Sequence, residues 1–305
     1  MRHVCLFFLL AAATVVSQDA GLDQFRVEAE SYLGHVRALS SDDLSGRGNG
    51  TPGLRRAAEY IASEFKKAGL EAGGDSGSYL QALDVSPQLA NVVGVLKGST
   101  RSHADELIVI GAHYDHVGLG DRSSSGAPSR GEIHNGADDN ASGTAMVIEM
   151  AHAATRQRAG FKRSVAFVAF AGEELDLRGS RHYVGHLPGN IRKTVAMINL
   201  DMVGRARGRV MIGGTGAEAE FKKVLADLRP FTKLRLEDFR DGYGRGASDN
   251  DAFERQQVPT LLFFTGFHED YHRPTDDWER IDAQGAAEIA RLALAVTAWL
   301  ATAEW

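Results

Sequence analysis

Acidic and imidazole side chains follow directly on apolar runs at four separate places in this sequence. "LIVIGA" (107–112) leads into His113 and Asp115, and "VAFVAF" (165–170) leads into Glu173 and Glu174. "VAMINL" (195–200) leads into Asp201, and "TLLFF" (260–264) into a loop carrying Tyr271 and His272 in "EDYHRPTDD". A fifth group, "HNGADDNASG" (134–143), brings two aspartates in a glycine- and asparagine-rich loop. Each signal has a bland explanation when taken singly: a structural histidine, a turn, a solvated acidic face. Five of them at four strand ends and one loop do not. Carboxylates that converge repel unless positive charge sits among them, and metal ions are the economical source. Nitrogen and carboxylate-oxygen donors without thiolate suit zinc, with manganese or cobalt behind it. Two divalent cations bring four positive charges. Asp139, Glu174, Asp201 and a shared hydroxide would balance them, so a two-metal site that activates water is expected.

The elements that must position these residues are legible from the same runs. Each run is short, apolar and rich in β-formers, which predicts strands buried on both faces, as in a parallel sheet. Helical stretches lie between and around them. "PGLRRAAEYIASEFKKAGL" opens on Pro52, lines up Ala57, Ala58, Ile61, Ala62, Phe65 and Ala68 on one face, and closes on Gly69. Further helices are predicted at 144–156, 217–228 and 284–300, the first capped by Asn140 or Ser142. This alternation predicts an α/β fold with helices on both faces of the sheet. In open sheets of that kind ligands bind beyond the carboxyl ends of the strands, which is where the polar residues fall. His113 and Asp115, two apart on an extended segment, would share a face, so Asp115 could hold the second ring nitrogen of His113. Glu173 and Glu174 are adjacent and point differently, so they need different partners.

Composition narrows the class. The chain has 305 residues, 43% of them hydrophobic, with 34 Lys and Arg against 40 Asp and Glu. No basic block or aromatic–basic stripe is present, which argues against a nucleic-acid partner. "MRHVCLFFLLAAATVVSQDA" reads as a secretory signal peptide over 1–17, with cleavage as late as residue 20; its apolar run is too short to span a bilayer. The remainder, 18–305, reads as one domain without a membrane anchor, secreted or periplasmic. Cys5, the single cysteine, lies inside that leader, so the exported chain would hold itself together without disulfides. The Gly/Ser-rich piece at 120–131 reads as a loop.

"GAHYDHVG", "NGADDNASG", "AFAGEELDLRGS", "MINLDMVG" and "FFTGFHEDYHRPTDD" together resemble the M28 family of zinc peptidases, which includes bacterial secreted leucyl-type aminopeptidases. "LSSDDLSGRGNGTPGLRRAAEYIASEFKKAGL" and "GDSGSYLQ" extend the likeness upstream, so that it covers about residues 38–281. The resemblance implies a three-layer α/β/α sandwich on a twisted, mostly parallel sheet of about eight strands. It implies two zinc ions per chain, with His113 and Asp201 on one, Glu174 and His272 on the other, and Asp139 bridging them. Glu173 would be the general base, and a cis peptide would follow Asp139. Tyr271, beside His272, is the candidate donor to a developing oxyanion. Asp249 is the candidate support for the ligands, and His116, His134 and His268 read as loop histidines outside the set. In one respect the sequence departs from the pattern: many relatives read "SDH" where this chain has Ser248–Asp249–Asn250, which bears on the surroundings of the site and leaves the ligands intact.

The implied activity is hydrolysis of the N-terminal peptide bond of peptides. A carboxypeptidase on the same scaffold would need a cation for the substrate's carboxylate, and Arg205, Arg245 and Arg273 are available. A glutaminyl cyclase, with a single zinc, fits poorly with retention of both His113 and Asp201. A non-catalytic relative fits poorly with the full ligand set plus Glu173.

Overall fold

The four apolar runs form four adjacent parallel strands at the centre of a nine-stranded sheet. A computed structural model describes residues 21–304 apart from 85, 121–128, 190, 192, 216–217 and 240–247. The expected signal peptide at 1–17, most of the loop at 120–131 and Arg245 lie outside the described residues. The strands are β1 (Glu71–Ala72), β2 (Leu80–Leu83), β3 (Ser86–Leu96), β4 (Glu106–His113), β5 (Ser164–Phe170), β6 (Lys193–Leu200), β7 (Arg209–Gly213), β8 (Arg235–Asp238) and β9 (Thr260–Phe264). The helices are α1 (Ala29–Leu39), α2 (Pro52–Lys67), α3 (Gly143–Arg156), α4 (Arg178–Tyr183), α5 (Glu218–Leu228), α6 (Asn250–Glu254) and α7 (Ala283–Thr302).

Strand order is β1-β3-β5-β4-β6-β9-β7-β8, with β2 also paired to β3. β3 runs antiparallel to β5, and β7 antiparallel to β9, so the parallel centre has antiparallel flanks. The count exceeds the expected eight because β3 is eleven residues long. Its outer edge is shared in succession by β2, opposite Ser86–Val92, and by the two-residue β1, opposite Gly94 and Val95.

Alternation along the central strands explains the three layers. In β4, Ile108, Ile110 and Ala112 pack into one core, while Leu107 and Val109 pack into another on the opposite face. In β5, Val165, Phe167 and Ala169 face the first core, and Ala166, Val168 and Phe170 the second. With successive side chains pointing to opposite faces, a strand with no polar alternate must be covered on both sides. α1, α2, α3, α5 and α7 cover the first face; Tyr183 of α4 and Ala252 and Phe253 of α6 cover the second. α2 starts and stops where its sequence says: Thr51 accepts from the Leu54 amide, Pro52 stands in the first turn, and Gly69 follows in the left-handed region. α7 is long and apolar enough to cross a membrane, yet most of it is buried inside the fold. It is a core helix packed against α1, α3 and α5.

Candidate metal centre

β4, β5, β6 and β9 end side by side, and the residues beyond their carboxyl ends meet. His113 closes β4. Its Nδ1 hydrogen-bonds the backbone carbonyl of Asp115 at 3.0 Å, which fixes the proton on that nitrogen and leaves the Nε2 lone pair facing inward. Nε2 stands 3.4 Å from Asp139 Oδ1 and 3.6 Å from Asp201 Oδ1. On the other side of Asp139, His272 Nε2 is 3.1 Å from Asp139 Oδ2 and 3.1 Å from Glu174 Oε1. The five sequence-predicted ligands therefore meet, all buried, with Asp139 between the two sets. Three negative charges against two neutral imidazoles, taken out of water, are a donor set that suits zinc.

Local structure explains how each ligand is aimed. Asp139 stands in an irregular turn, 137–142, that leads into α3, and the Asp139–Asn140 bond is cis. The Asn140 side chain accepts from the amides of Gly143 and Met202 and donates to the carbonyl of Leu200, tying this turn to the end of β6 beside Asp201. Asn140, rather than Ser142, thus caps α3; the Ser142 hydroxyl donates to the carbonyl of Asp138. Ser248 donates to Asp201 Oδ2 at 2.7 Å and accepts from Asn199. Asn250 reaches Asn199 and Glu254 but none of the ligands, so the departure from "SDH" acts at one remove, through Asn199 and Ser248.

Asp115 does something different from what its spacing predicts. Its carboxylate is 3.8 Å from His113 Nδ1, and it accepts instead from the amides of Glu173 and Glu174 and from the Asn49 side chain. The reason is that β4 ends at His113, so the alternation of an extended strand does not reach Asp115. The carbonyl holds the imidazole, and the carboxylate fixes the backbone of the paired glutamates. Glu173 and Glu174 then diverge as expected. Glu174 joins the ligands, while Glu173, half-buried, faces His113, Asp201 and Asp249. Burial, with Glu174, Asp249 and Asp201 close by, pushes the Glu173 carboxyl well above its usual range, and His113 opposes the shift. Asp249 is fully buried, and burial, reinforced by Asp115 and Asp201, pushes it up to about 7. Tyr271 stacks on His272 with ring centroids 4.0 Å apart, and its hydroxyl is driven well above the ordinary tyrosine range by burial and by Asp139 and Glu174. Tyr271, Phe239 and Met211 pack on Met202, Leu262 and Phe264 to form an apolar wall beside the ligands, and Phe267 stands exposed at its rim.

Two residues here are illegible from sequence order. Arg47 is fully buried, and its guanidinium donates to the carbonyls of Leu39, Tyr114, Asn135 and Gly136, clasping the segments that bear His113 and Asp139. Burial lowers its pKa to about 10. His116 does not stay out among the loops as its neighbours suggest. It is fully buried, with Nδ1 3.2 Å from Glu174 Oε1 and 3.7 Å from Asp139 Oδ2. His134 and His268 do stay outside the ligands: Nδ1 of His134 meets the carbonyl of Glu132, and Nε2 of His268 meets Asp138 Oδ2. Of the arginines that could receive a substrate carboxylate, Arg205 is bound to Asp270 at 2.7 Å and Asp276 at 2.6 Å, and Arg273 lies exposed. A second trio, Asp84, His182 and His186, also groups metal-capable donors, with His182 half-buried and the other two exposed.

Comparison with known proteins agrees with the geometry. The family model described as "Peptidase family M28" matches residues 91–297. Aminopeptidase YwaD of Bacillus subtilis is 28% identical over 219 residues, covering 67% of this chain and 43% of its own length. A probable leucine aminopeptidase of Trichophyton verrucosum is 25% identical over 252 residues, covering 78% of this chain and 64% of its own length. The chain thus spans about half to two-thirds of the length of these relatives. The LapA aminopeptidase of Legionella pneumophila superposes with a TM-score of 0.75 at 19% identity, covering 95% of this chain and 77% of that one, a likeness of fold.

Proposed function

The chain belongs to peptidase family M28, and from that premise we propose that it is a two-zinc aminopeptidase that hydrolyses the N-terminal peptide bond of peptides. The observation that carries this reading is the meeting of His113, Asp139 and Asp201 with Glu174 and His272 around one shared aspartate, with Glu173 alongside. His113 and Asp201 would hold one zinc, Glu174 and His272 the other, and Asp139 both. Zinc so held supplies Lewis-acid polarisation of a carbonyl and lowers the pKa of water to near neutrality.

The remaining steps belong to this chain's own side chains. Glu173, whose proton affinity is raised by its surroundings, takes the proton of the attacking water on its carboxylate and delivers it to the leaving amine. Asp115 contributes through the backbone, holding the Glu173 and Glu174 amides so that one carboxylate binds and its neighbour moves a proton. Tyr271, braced on His272 and kept protonated, is placed to donate to the developing oxyanion. Asp249, buried and close to Glu173, adds to the proton affinity of that carboxylate. The apolar wall from Met202 to Phe264 favours an apolar residue at the substrate's N-terminus, in keeping with the relative named as a leucine aminopeptidase. Arg205, engaged by two aspartates, is no receptor for a substrate carboxylate, which speaks for amino- over carboxypeptidase activity. The leader-like first 17–20 residues support a secreted or periplasmic location.

A metal-replete assay on amino-acid p-nitroanilides and C-terminally blocked peptides tests the reading. Turnover of both, with apolar residues favoured, is expected; activity only on peptides with a free C-terminus would overturn it.

A further inference from the structure

His116 has no role in the ligand set that the sequence suggests, yet it is buried among those ligands. Its imidazole is fully buried, and neither ring nitrogen has a hydrogen-bond partner. Buried polar groups are paired in the great majority of cases, and an orphan calls for an explanation such as an ion. The ring is also held in place. Gly136 lies against it in the left-handed region, and a Cβ there would come within 2.5 Å of the imidazole and 2.2 Å of the Asp139 carbonyl. His272 meets the ring edge-on, with centroids 5.4 Å apart.

We infer that His116 is a fourth protein ligand on the Glu174–His272 side, so that this side is closed while the His113–Asp201 side keeps an open position. The inference rests on the two-zinc reading above. Zinc bonds of 2.0–2.1 Å in a tetrahedron place donor atoms about 3.3–3.4 Å apart. The separations among His116 Nδ1, Asp139 Oδ2, Glu174 Oε1 and His272 Nε2 run 3.1, 3.1, 3.2 and 3.7 Å for the four pairs at hand, and all four atoms lie within 4.8 Å of one another. The other side offers His113, Asp139 and Asp201. Four protein ligands are the mark of a structural zinc, and three with an open position the mark of a catalytic one. The two metals are therefore unequal. The one beside His116 anchors Asp139 and Glu174, and the one beside His113 presents the coordination position that water and substrate use.

The test is chelator competition on the zinc-loaded full chain, with released zinc counted, in wild type, His116→Asn and Asp201→Asn. Wild type is expected to release its two ions at separate chelator concentrations, and Asp201→Asn to keep only the tighter one. His116→Asn should weaken the tighter ion at least tenfold, by analogy with the roughly 10–100-fold losses from removing mere supporting partners of ligands. Circular dichroism of the metal-free forms checks that the variants fold. Cobalt titration of the wild type needs no variant: the first equivalent should give the intense visible bands of four-coordinate cobalt. Unchanged release in His116→Asn, or weak bands typical of higher coordination in the wild type, would overturn the inference and leave the two-zinc reading standing. A wild type that binds no zinc would overturn both.

Discussion

Asp138 and Asp139 are neighbours in one turn, both buried, and they belong to two different acidic clusters. Asp138 looks toward Arg205, whose guanidinium binds Asp270 and Asp276 directly and stands 3.9 Å from Asp138. Every carboxylate there has fixed partners. Asp138 accepts from the Gly204 amide and meets His268, Asp270 accepts from Thr275, and Asp276 accepts from the amides of Asp138 and Asp139. Asp139 looks the other way, into a cluster with Glu173, Glu174, Asp201 and Asp249, where the nearest bases are imidazoles. Titration does not divide along the same line. Against the cost of burial, Thr275 and Arg205 hold Asp270 below the usual range, but burial and Asp138 push Asp276 up to about 6. In the second cluster burial pushes Glu173 and Asp249 up, while the imidazoles, against burial, hold Asp139 and Glu174 down. Arg205 binds the carboxylates of one cluster directly, whereas in the other Arg47 gives its hydrogen bonds to backbone carbonyls and the groups that face the carboxylates are imidazoles. Imidazoles among carboxylates can turn from cations into metal ligands, which a guanidinium cannot.

That contrast can be broken at several points. The largest effect is expected at Asp139, the one carboxylate that both ligand sets share. Asp139→Asn should lower kcat/KM by at least about a thousandfold, as loss of a transition-state contact worth roughly 4 kcal/mol or more, and should reduce bound zinc. The metal-free protein should also lose thermal stability, because there Asp139 pairs with the imidazoles of His113 and His272. Glu173→Gln should lower kcat by about 10²–10⁴-fold, the usual worth of a positioned proton acceptor, with zinc content unaltered; retained turnover would remove Glu173 from its role.

A different pattern is expected from Arg205→Met. Removing one partner of a buried ion cluster leaves uncompensated charge and costs about 3–5 kcal/mol, visible in denaturant unfolding of metal-free and zinc-loaded protein alike.

A smaller and signed effect comes from pH. Asp249 has its folded pKa raised from 3.8 to about 7. Its folded form holds the proton longer than the unfolded chain does, so ionisation from about pH 4 to 7 costs stability. His113 and His272 are also raised, by surrounding carboxylates against the opposing effect of burial, and their contribution is lost only above the ordinary imidazole value of 6.5. Metal-free protein should therefore melt at lower temperature as pH rises from about 4 to 7. Zinc should reverse the trend, since ligands must be deprotonated to bind it. Asp270, depressed on folding, contributes stability that is lost only as pH falls through its folded pKa. The smallest effect is predicted for Asn250→His, which restores the "SDH" spelling. Asn250 touches no ligand, so activity should change by no more than a few-fold.

How much of this was legible follows from the range of each interaction. β4, β5, β6 and β9 could be read because both faces of each are apolar, and the ligands could be read because they stand at the ends of those strands. The side of the sheet on which a residue falls is a local property. Where a segment leaves the sheet, that property lapses. Asp115 and His116 follow the last residue of β4, and strand alternation misplaces the first and says nothing of the second. Arg205 was visible as a cation but not as a spent one, since its partners lie 65 and 71 residues away. Ser248, which holds Asp201 across 47 residues, and Arg47, whose guanidinium reaches carbonyls up to 89 residues off, owe their roles to the tertiary fold alone.

If the carboxylates and imidazoles at the strand ends are there to hold metal, anomalous diffraction at the zinc edge from crystals of the zinc-loaded chain will show it. Two peaks about 3.5–4 Å apart are predicted, one against His113 and Asp201, the other against Glu174 and His272, with Asp139 reaching both. No peak at this cluster, or zinc found only at the Asp84–His182–His186 trio, would contradict a metal centre at the strand ends.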